Sequence, residues 1–322
     1  MRIALVNFWL LITVLTTNIY ALENSVIPIM EQFESLESLP ANKFTKRQIH
    51  QIEAALDKKA EKIRLVSYNM LFNLCDHNLA EENRWPQRLP RIVELIQEMQ
   101  PDIIATQELY PSQVADLCAQ LDQDFAFFAG HRDEDGESYG IFYRKARFQL
   151  LASQVIYPLS MIQLKDLKSN KTFAVFNTHM PFSDIEKRET HADAIVEIIE
   201  PYSQQMAVLF TGDLNTFSAR LEISNLPFFD GDHIHRILTQ GSLSNARDVS
   251  LIGHFGPIST FTSSETENNG APFKGTGKPG IFLDHIYVSN QVIVLAHAIE
   301  KGTVHGHFPS DHLPVLIDFL VK

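Results

Sequence analysis

The chain has 322 residues, of which 45% are hydrophobic and 20% charged, so it has ample apolar material for a folded core. Its formal net charge of −12 argues against a general attraction to nucleic acid or to an anionic membrane. The basic clusters at 143–147 and at Lys274 with Lys278 are candidate local patches, but we interpret both as solvated loops. Charge therefore favours a smaller or lipid ligand over long nucleic acid.

Residues 1–21 have the pattern of a signal peptide. Arg2 precedes an apolar stretch, and Ile19 and Ala21 supply aliphatic and small residues at the cleavage positions. The stretch is nearly long enough to span a bilayer, so an uncleaved membrane anchor is the alternative. Its Asn and Thr residues favour cleavage. Cleavage would remove Arg2 and no acid, changing the formal charge from −12 to −13. We predict a secreted or periplasmic protein.

The rest of the chain divides into an extension, 22–62, and a main domain, 63–322. The extension has apolar residues at helical spacing from Ile49 to Leu56. From Ile63 the pattern alternates between strands and helices. Strands are predicted at "IRLVSYNML", "PDIIATQEL", "FAFFAG", "YGIFYRKARF", "MAVLFTGDLN", "IFLDHIYVS", "VIVLAHAIE" and "LPVLIDFL", with a hairpin at "MIQLKDLKSNKTFAVFNTHM" that turns at 168–171.

Helices are predicted at "RLPRIVELIQEM", at "SQVADLCAQL" with a serine cap, and at "SDIEKRETHADAIVEIIEPY". In the last of these, Ser183 and Glu186 form a capping-box pattern. Residues 262–280 are rich in turn formers and predict a long surface loop. Mixed strands, hairpins and helices indicate an α/β sandwich rather than a purely parallel sheet.

Two cysteines, Cys75 and Cys118, would remain after export. An oxidising compartment would permit a disulfide between them. The helical spacing around Cys118 favours a buried apolar role for that residue.

Six apolar runs end in an acid, an amide or a histidine. Asn and Asp often end strands because their side chains bond the local backbone, and a lone histidine is more often structural than catalytic. Turn chemistry would nevertheless supply more Gly, Ser and Pro, and fewer Glu and His. The residues are Asn69, Glu108, Asn177 with His179, Asp213 with Asn215, Asp284, and Asp311 with His312.

These residue types are suited to one kind of chemistry. Carboxylates and amides form a hard oxygen environment that fits Mg²⁺, with Mn²⁺ as a possible substitute. The sequence has no HExxH, GxSxG or P-loop motif. Histidines beside a hard cation fit hydrolysis of a phosphate ester, since an imidazole can move a proton while an aspartate fixes its tautomer.

The motifs "SYNML", "QEL", "NTHM", "GDLN", "LDHIYVS" and "PSDHLPV", in this order, resemble the motif series of the endonuclease/exonuclease/phosphatase superfamily. The resemblance spans 63–322. It implies a four-layer α/β sandwich, with two central mixed β-sheets flanked by helices and one metal-dependent site at the strand ends. It also implies a phosphate-ester substrate: a nucleic acid, a phospholipid or a small molecule.

Site roles follow from the resemblance, residue by residue. Glu108 resembles the principal metal ligand, with Asn69 beside it and Asp311 as an acidic neighbour. Asp213 matches the residue that orients or deprotonates water, and Asn215 a hydrogen-bond donor on the phosphate and metal side. His179 corresponds to the histidine that contacts the phosphate, and Asp284 with His312 to the carboxylate–histidine pair. No other cofactor is implied.

Departures from the family pattern and rival functions remain open. His285 stands where relatives often carry an aromatic residue, and His305 with His307 could form a second metal site, although a loop role fits better. The segment before "NTHM" is compact, and 22–62 has no identifiable counterpart. Mono- and diesterase remain alternatives, as do a catalytically inactive binding or effector protein that retains the fold and a membrane-anchored interaction protein.

Overall fold

The computed structural model describes residues 61–132, 136–216, 232–257, 259–261, 282–300 and 303–322. The predicted signal peptide, nearly all of the 22–62 extension, and the loop at 262–280 with its two lysines lie outside these residues. Within the part of the chain that is described, none of the helices has the length and apolar content needed to cross a bilayer.

Thirteen strands and five helices make up the described part of the chain, together with two short 3-10 turns at Asn73–Asn78 and Glu81–Asn83. The strands are β1 Ile63–Asn69, β2 Ile103–Gln107, β3 Phe125–Arg132, β4 Ser138–Arg144, β5 Phe148–Ile156, β6 Leu159–Asp166, β7 Thr172–His179, β8 Ala207–Asp213, β9 Leu243–Asn245, β10 His254–Phe255, β11 Asp284–Ser289, β12 Val292–Ile299 and β13 Val315–Val321. The helices are α1 Trp85–Met99, α2 Pro111–Leu121, α3 Ile185–Ser203, α4 His233–Leu238 and α5 Ala246–Val249.

The strands form two mixed sheets. The first has the order β10-β12-β13-β1-β2-β4-β3, and the second has the order β5-β6-β7-β8-β11-β9. Pairing is parallel between β1 and β2 and between β7 and β8, while β13 runs antiparallel to β1 and β11 antiparallel to β8. The predicted hairpin is confirmed, because β6 and β7 pair antiparallel around the turn at 167–171.

Central strands are buried on both faces, and this produces the layers. In β1, Leu65 faces the core between the two sheets, whereas its neighbour Val66 faces the core beneath α1 and α2. In β7, Val175 likewise faces the core between the sheets, and Phe176 packs toward α3 and α4. The order helices, sheet, sheet, helices confirms the predicted four-layer α/β sandwich.

Both predicted serine caps are wrong. Helix α2 begins at Pro111, and Gln113 Oε1 accepts the Tyr110 N–H at 3.2 Å, so the turn is closed from inside the helix. Helix α3 is capped by Asp184, whose carboxylate accepts the Lys187 N–H at 2.9 Å. Asp stands directly before Ile185 and is as good a cap as Ser, so composition could not separate the two positions.

Two further expectations need correction. Arg147, assigned to a solvated basic loop, is buried and pairs with Asp102 at 2.9 Å and Asp166 at 3.2 Å. Cys118 is only half-buried, packing against the edge of the core beneath α1 and α2, and both it and Cys75 are free thiols.

Candidate active site

The strand pairing brings the polar strand ends to one edge of the two sheets. Because β7 and β8 are parallel, His179 lies opposite Asp213, and because β11 is antiparallel to β8, its first residue, Asp284, also lies opposite Asp213. In the other sheet, Asn69 ends β1 and lies opposite Gln107, directly before Glu108. Since β13 runs antiparallel to β1, the residues that precede it reach the same edge.

A cavity of about 880 Å³ opens at this edge. Six of the eight predicted site residues line it: Glu108, His179, Asp213, Asn215, Asp311 and His312. The other two, Asn69 and Asp284, are fully buried and are hydrogen-bonded to residues that do line it. The structure therefore brings all eight predicted residues together.

Asp213 is at the centre of the cluster. Its Oδ2 lies 3.5 Å from His179 Nε2 and 3.6 Å from His312 Nε2. Asn69 Nδ2 donates to the same oxygen at 3.0 Å, and the Asn215 N–H donates to Oδ1 at 3.0 Å. Burial alone would raise the pKa of Asp213, but the two histidines and these hydrogen bonds lower it below its usual value. Asp213 is therefore a carboxylate at neutral pH.

The two histidines each have carboxylates around them. His312 Nδ1 lies 2.8 Å from Asp284 Oδ2, and His179 Nδ1 lies 3.4 Å from Glu137 Oε2. Burial alone would lower both pKa values, yet the acids raise the pKa of His179 to about 9 and that of His312 well above its ordinary value. Both rings therefore carry positive charge at neutral pH in the metal-free protein.

The acidic end of the cavity fits a divalent cation. The carboxylate oxygens of Glu108 and Asp213 lie within 4.8 Å of each other and of His179. Burial raises the pKa of Glu108, and burial together with the charge of Glu108 raises the pKa of Asp311 to about 6, although His312 acts in the opposite direction. Such excess negative charge among hard oxygen donors is what a bound Mg²⁺ would offset.

Asn69 holds two of these carboxylates together. Its Nδ2 donates to Glu108 Oε1 at 2.8 Å as well as to Asp213, while its Oδ1 accepts the Leu71 N–H at 3.1 Å. The amide nitrogen thus faces the acids, and the role of Asn69 as an oxygen ligand stays a prediction.

Left-handed backbone conformations occur at the site. Leu71, Glu108 and Asn215 line the cavity with φ of 55°, 64° and 49°, values that non-glycine residues rarely adopt. Gly212 of "GDLN" has a different reason to be glycine, since a Cβ there would lie 2.1 Å from the Thr178 carbonyl oxygen. The motif residue therefore allows β7 and β8 to approach closely beside His179.

Three residues that support the site were not found from the sequence. Glu137 contacts His179, but it directly precedes β4 and so does not belong to the polar residues that end apolar strands. Buried Arg88 donates to the carbonyls of Met70, Leu71 and Pro309 at 2.7, 2.9 and 3.1 Å. Ser310 Oγ donates to the Asn69 carbonyl at 2.7 Å. A charged residue at an apolar position of α1 was the available signal for Arg88.

The other polar side chains named in the sequence analysis lie outside the site. Asn177 is buried beneath it and bonds Gln107 Nε2 at 2.7 Å and the Thr106 carbonyl at 2.9 Å. His285 Nε2 lies 3.0 Å from the Thr216 carbonyl, and burial lowers the pKa of this ring to about 4. Exposed His305 lies 3.1 Å from Glu94, and neither it nor His307 belongs to a metal-competent cluster of described residues.

The fold and this arrangement of acids and histidines define a hydrolase with a metal-competent site. The family model "Endonuclease/Exonuclease/phosphatase family" matches residues 66–312. The chain belongs to this family, whose members are metal-dependent phosphoesterases that include nucleases and phosphatases. A comparison with curated protein sequences finds no match.

Solved structures share the fold. A Bacteroides vulgatus endonuclease/exonuclease/phosphatase is 21% identical with a TM-score of 0.65, covering 81% of this chain and 99% of its own. A Bacteroides thetaiotaomicron mannosyl-6-phosphatase is 21% identical with a TM-score of 0.64, covering 80% and 99%. D. rerio TDP2, complexed with a single-strand DNA product, is 17% identical with a TM-score of 0.57, covering 81% and 99%.

Proposed function

We propose that this protein is an exported, Mg²⁺-dependent phosphoesterase that hydrolyses a phosphomonoester or phosphodiester by attack of water. The observation that carries the proposal is the convergence on Asp213 of two carboxylate-paired histidines and the metal-competent acid Glu108. Family membership supports the reaction class, and among the structural neighbours one is a mannosyl-6-phosphatase and another is complexed with a single-strand DNA product.

Glu108 and Asp311 would hold the cation, with Asn69 beside them. Both acids are partly buried at the cavity wall, and their raised pKa values make a cation a favourable neighbour. When bound, Mg²⁺ would supply positive charge to the phosphate oxygens in the transition state. Mn²⁺ has the same preference for oxygen donors and is expected to substitute.

Asp213 is assigned to the attacking water. Its carboxylate stays ionised at neutral pH, and the Asn215 N–H fixes the orientation of its Oδ1. A fixed carboxylate facing the cavity can orient a water molecule and accept its proton. His312, held by Asp284 at Nδ1, presents Nε2 to the same region and can move a proton at that atom.

His179 and Asn215 are assigned to the phosphate. Asn215 Nδ2 lies 3.2 Å from His179 Nε2 and donates to the Met180 carbonyl at 2.8 Å, so the two side chains form one polar surface beside Asp213. A protonated imidazole supported by Glu137 supplies positive charge where negative charge develops on the phosphate.

The test is a panel of phosphomonoesters and diesters assayed with Mg²⁺, with Mn²⁺ and with EDTA. We expect hydrolysis with either metal and its loss in EDTA, in His312→Ala and in Asp213→Ala. His305→Ala is the matched control, since this exposed histidine pairs with Glu94 away from the cavity. Metal-independent turnover, or near wild-type turnover in either site variant, would refute these assignments.

Export is tested separately by sequencing the N-terminus of the mature protein. We expect it near Leu22. A mature chain that starts at Met1 would support the anchored alternative instead.

A further inference from the structure

The cavity extends well beyond the proposed catalytic cluster. Its volume of about 880 Å³ lies in the upper part of the range of roughly 300–1,000 Å³ that small-molecule sites span. One phosphate group would occupy a small part of this space. The remaining lining residues therefore influence which substrate the cavity accepts.

An unbroken series of rings leads away from His179. The Tyr139 ring lies 5.9 Å from that of His179, and His131 lies 5.3 Å from Tyr139. Tyr157 follows at 5.2 Å from His131, and His191 at 5.3 Å from Tyr157. All five side chains line the cavity, and we call Tyr139, His131, Tyr157 and His191 the ring wall.

Part of the ring wall is buried and held in place, and part of it is exposed. Tyr139 and His191 are buried, at 5% and 6% exposure, and the Tyr157 hydroxyl lies 3.0 Å from His191 Nε2. Tyr157 itself is 57% exposed, and Phe182, which also lines the cavity, is 53% exposed. A tyrosine held by neighbouring rings, with its remaining surface open to a cavity, is suited to stacking against a ring of a ligand.

Two basic side chains accompany the ring wall. Arg132 follows His131 in β3, and Lys187 precedes His191 by one turn of α3; both line the cavity. Burial, followed by the charge of Lys187, lowers the pKa of His191 to about 4, so this ring is neutral. Neither Arg132 nor Lys187 forms an ion pair with a described residue. Their charge is available to an anionic ligand.

We propose that the ring wall is a subsite for the non-reacting part of the substrate, and that this part is a ring bearing a second phosphate. The ring would stack on Tyr157, and Lys187 with Arg132 would bind the second phosphate. The inference rests on the proposed phosphoesterase function and narrows it to small ring bisphosphates. Nucleoside and sugar bisphosphates share this chemistry.

The arrangement of basic side chains favours this substrate class over long nucleic acid. Two basic side chains provide one anion subsite, whereas a polymer backbone is followed by an extended positive surface. The cavity has carboxylates at one end for a cation, and it has Arg132 and Lys187 beside the ring wall for an anion.

The experiment compares matched esters in Mg²⁺. Adenosine 3′,5′-bisphosphate is paired with adenosine 5′-monophosphate, and glucose 1,6-bisphosphate with glucose 1-phosphate. We expect kcat/KM to be at least about tenfold higher for the bisphosphate in one pair, because charge-assisted contacts of this kind give roughly that factor. The pair that shows it identifies the ring.

Variants assign the preference to the ring wall. Lys187→Gln should reduce the bisphosphate preference about tenfold, whereas Lys168→Gln, which removes the same charge from the exposed turn at the opposite end of β7, should retain it. Tyr157→Leu should raise KM for both members of the favoured pair about fivefold, and Tyr157→Phe, which keeps the ring, should raise it less.

Affinity is measured independently of turnover. Calorimetry with Asp213→Asn protein in Mg²⁺ should show tighter binding of the favoured bisphosphate than of its monophosphate, and loss of that difference in Asp213→Asn/Lys187→Gln. Equal affinities, or a difference that survives Lys187→Gln, would overturn the subsite even if the enzyme hydrolyses esters. If no ester in the panel is hydrolysed, the proposed function fails, and calorimetry still decides the subsite.

Discussion

Asp284 Oδ2 lies 2.8 Å from Nδ1 of His312, although the two residues are 28 positions apart in the chain. The contact joins the start of β11 to the segment before β13, in different sheets. It fixes the imidazole so that Nε2 faces Asp213 at 3.6 Å. The two sheets are thus joined at the proposed site by this aspartate–histidine hydrogen bond.

Removing this imidazole should abolish proton transfer while the fold persists. We expect His312→Ala to lower kcat by a factor of about 10² to 10⁴, the usual contribution of a general acid or base. Asp284→Asn should lower it less, because the imidazole remains but loses its fixed tautomer. Phosphate-release kinetics measure this, with circular dichroism as the check on folding. A kcat for Asp284→Asn below that of His312→Ala would contradict the assigned order.

Glu108 should set the metal requirement. In Glu108→Gln the carboxylate charge is lost but the shape is kept, so the Mg²⁺ concentration for half-maximal activity should rise at least about tenfold. A Mg²⁺ titration of activity measures it, and Glu94→Gln is the control, because this half-buried acid pairs with His305 away from the cavity. An unchanged titration would remove Glu108 from the ligand set.

Mg²⁺ should stabilise the protein more as pH rises. The folded-state pKa of Asp311 is about 6, above its ordinary value of 3.8, so ionising it costs metal-free stability as pH rises from about 4 to 6. A bound cation offsets the cost of ionising Asp311. Above pH 6, protons compete less with the cation for this carboxylate. The difference in Tm between Mg²⁺ and EDTA should therefore grow from pH 5 to pH 7.5.

Asp311→Asn provides the control for this pH dependence, since the amide does not titrate. Most of the growth in the Tm difference should vanish in that variant. A Tm difference that is equally steep in both proteins would place the pH-dependent metal interaction on another group, with Glu108 the next candidate.

Arg88 should be required for the shape of the loops that hold Asn69 and Asp311. Arg88→Ala removes the side-chain donor of the buried Met70 and Pro309 carbonyls, while the Leu71 carbonyl keeps Gln113 Nε2 at 3.0 Å, so we expect a loss of about 3 kcal/mol in the free energy of unfolding. Denaturant titration measures it. Arg91→Ala, one turn away on α1 with a single exposed bond to the Glu82 carbonyl, should cost less than about 1 kcal/mol.

Local pattern was sufficient for most of the longer elements and for the polar residues that end the strands, but it did not indicate α4, α5, β9 or β10, and it ran the end of β4 and the start of β5 together as one strand. Strands such as β1 and β8 are short apolar runs, and each ends in a polar side chain. This pattern can be recognised in the sequence without knowing which strands pair with them. The N-cap residues of the helices could not be predicted in the same way. Asp184 and Ser183 are adjacent and equally suitable, and the backbone geometry chose between them.

The sequence by itself determined that acids, amides and histidines end the strands, because alternation and strand length are local properties. Only the tertiary structure decided which of them meet. Register places Asp213 opposite both His179 and Asp284, and the sheet-to-sheet contact brings Asn69 to the same carboxylate. Glu137, Arg88 and the ring wall depend on contacts between distant segments, which no local periodicity encodes.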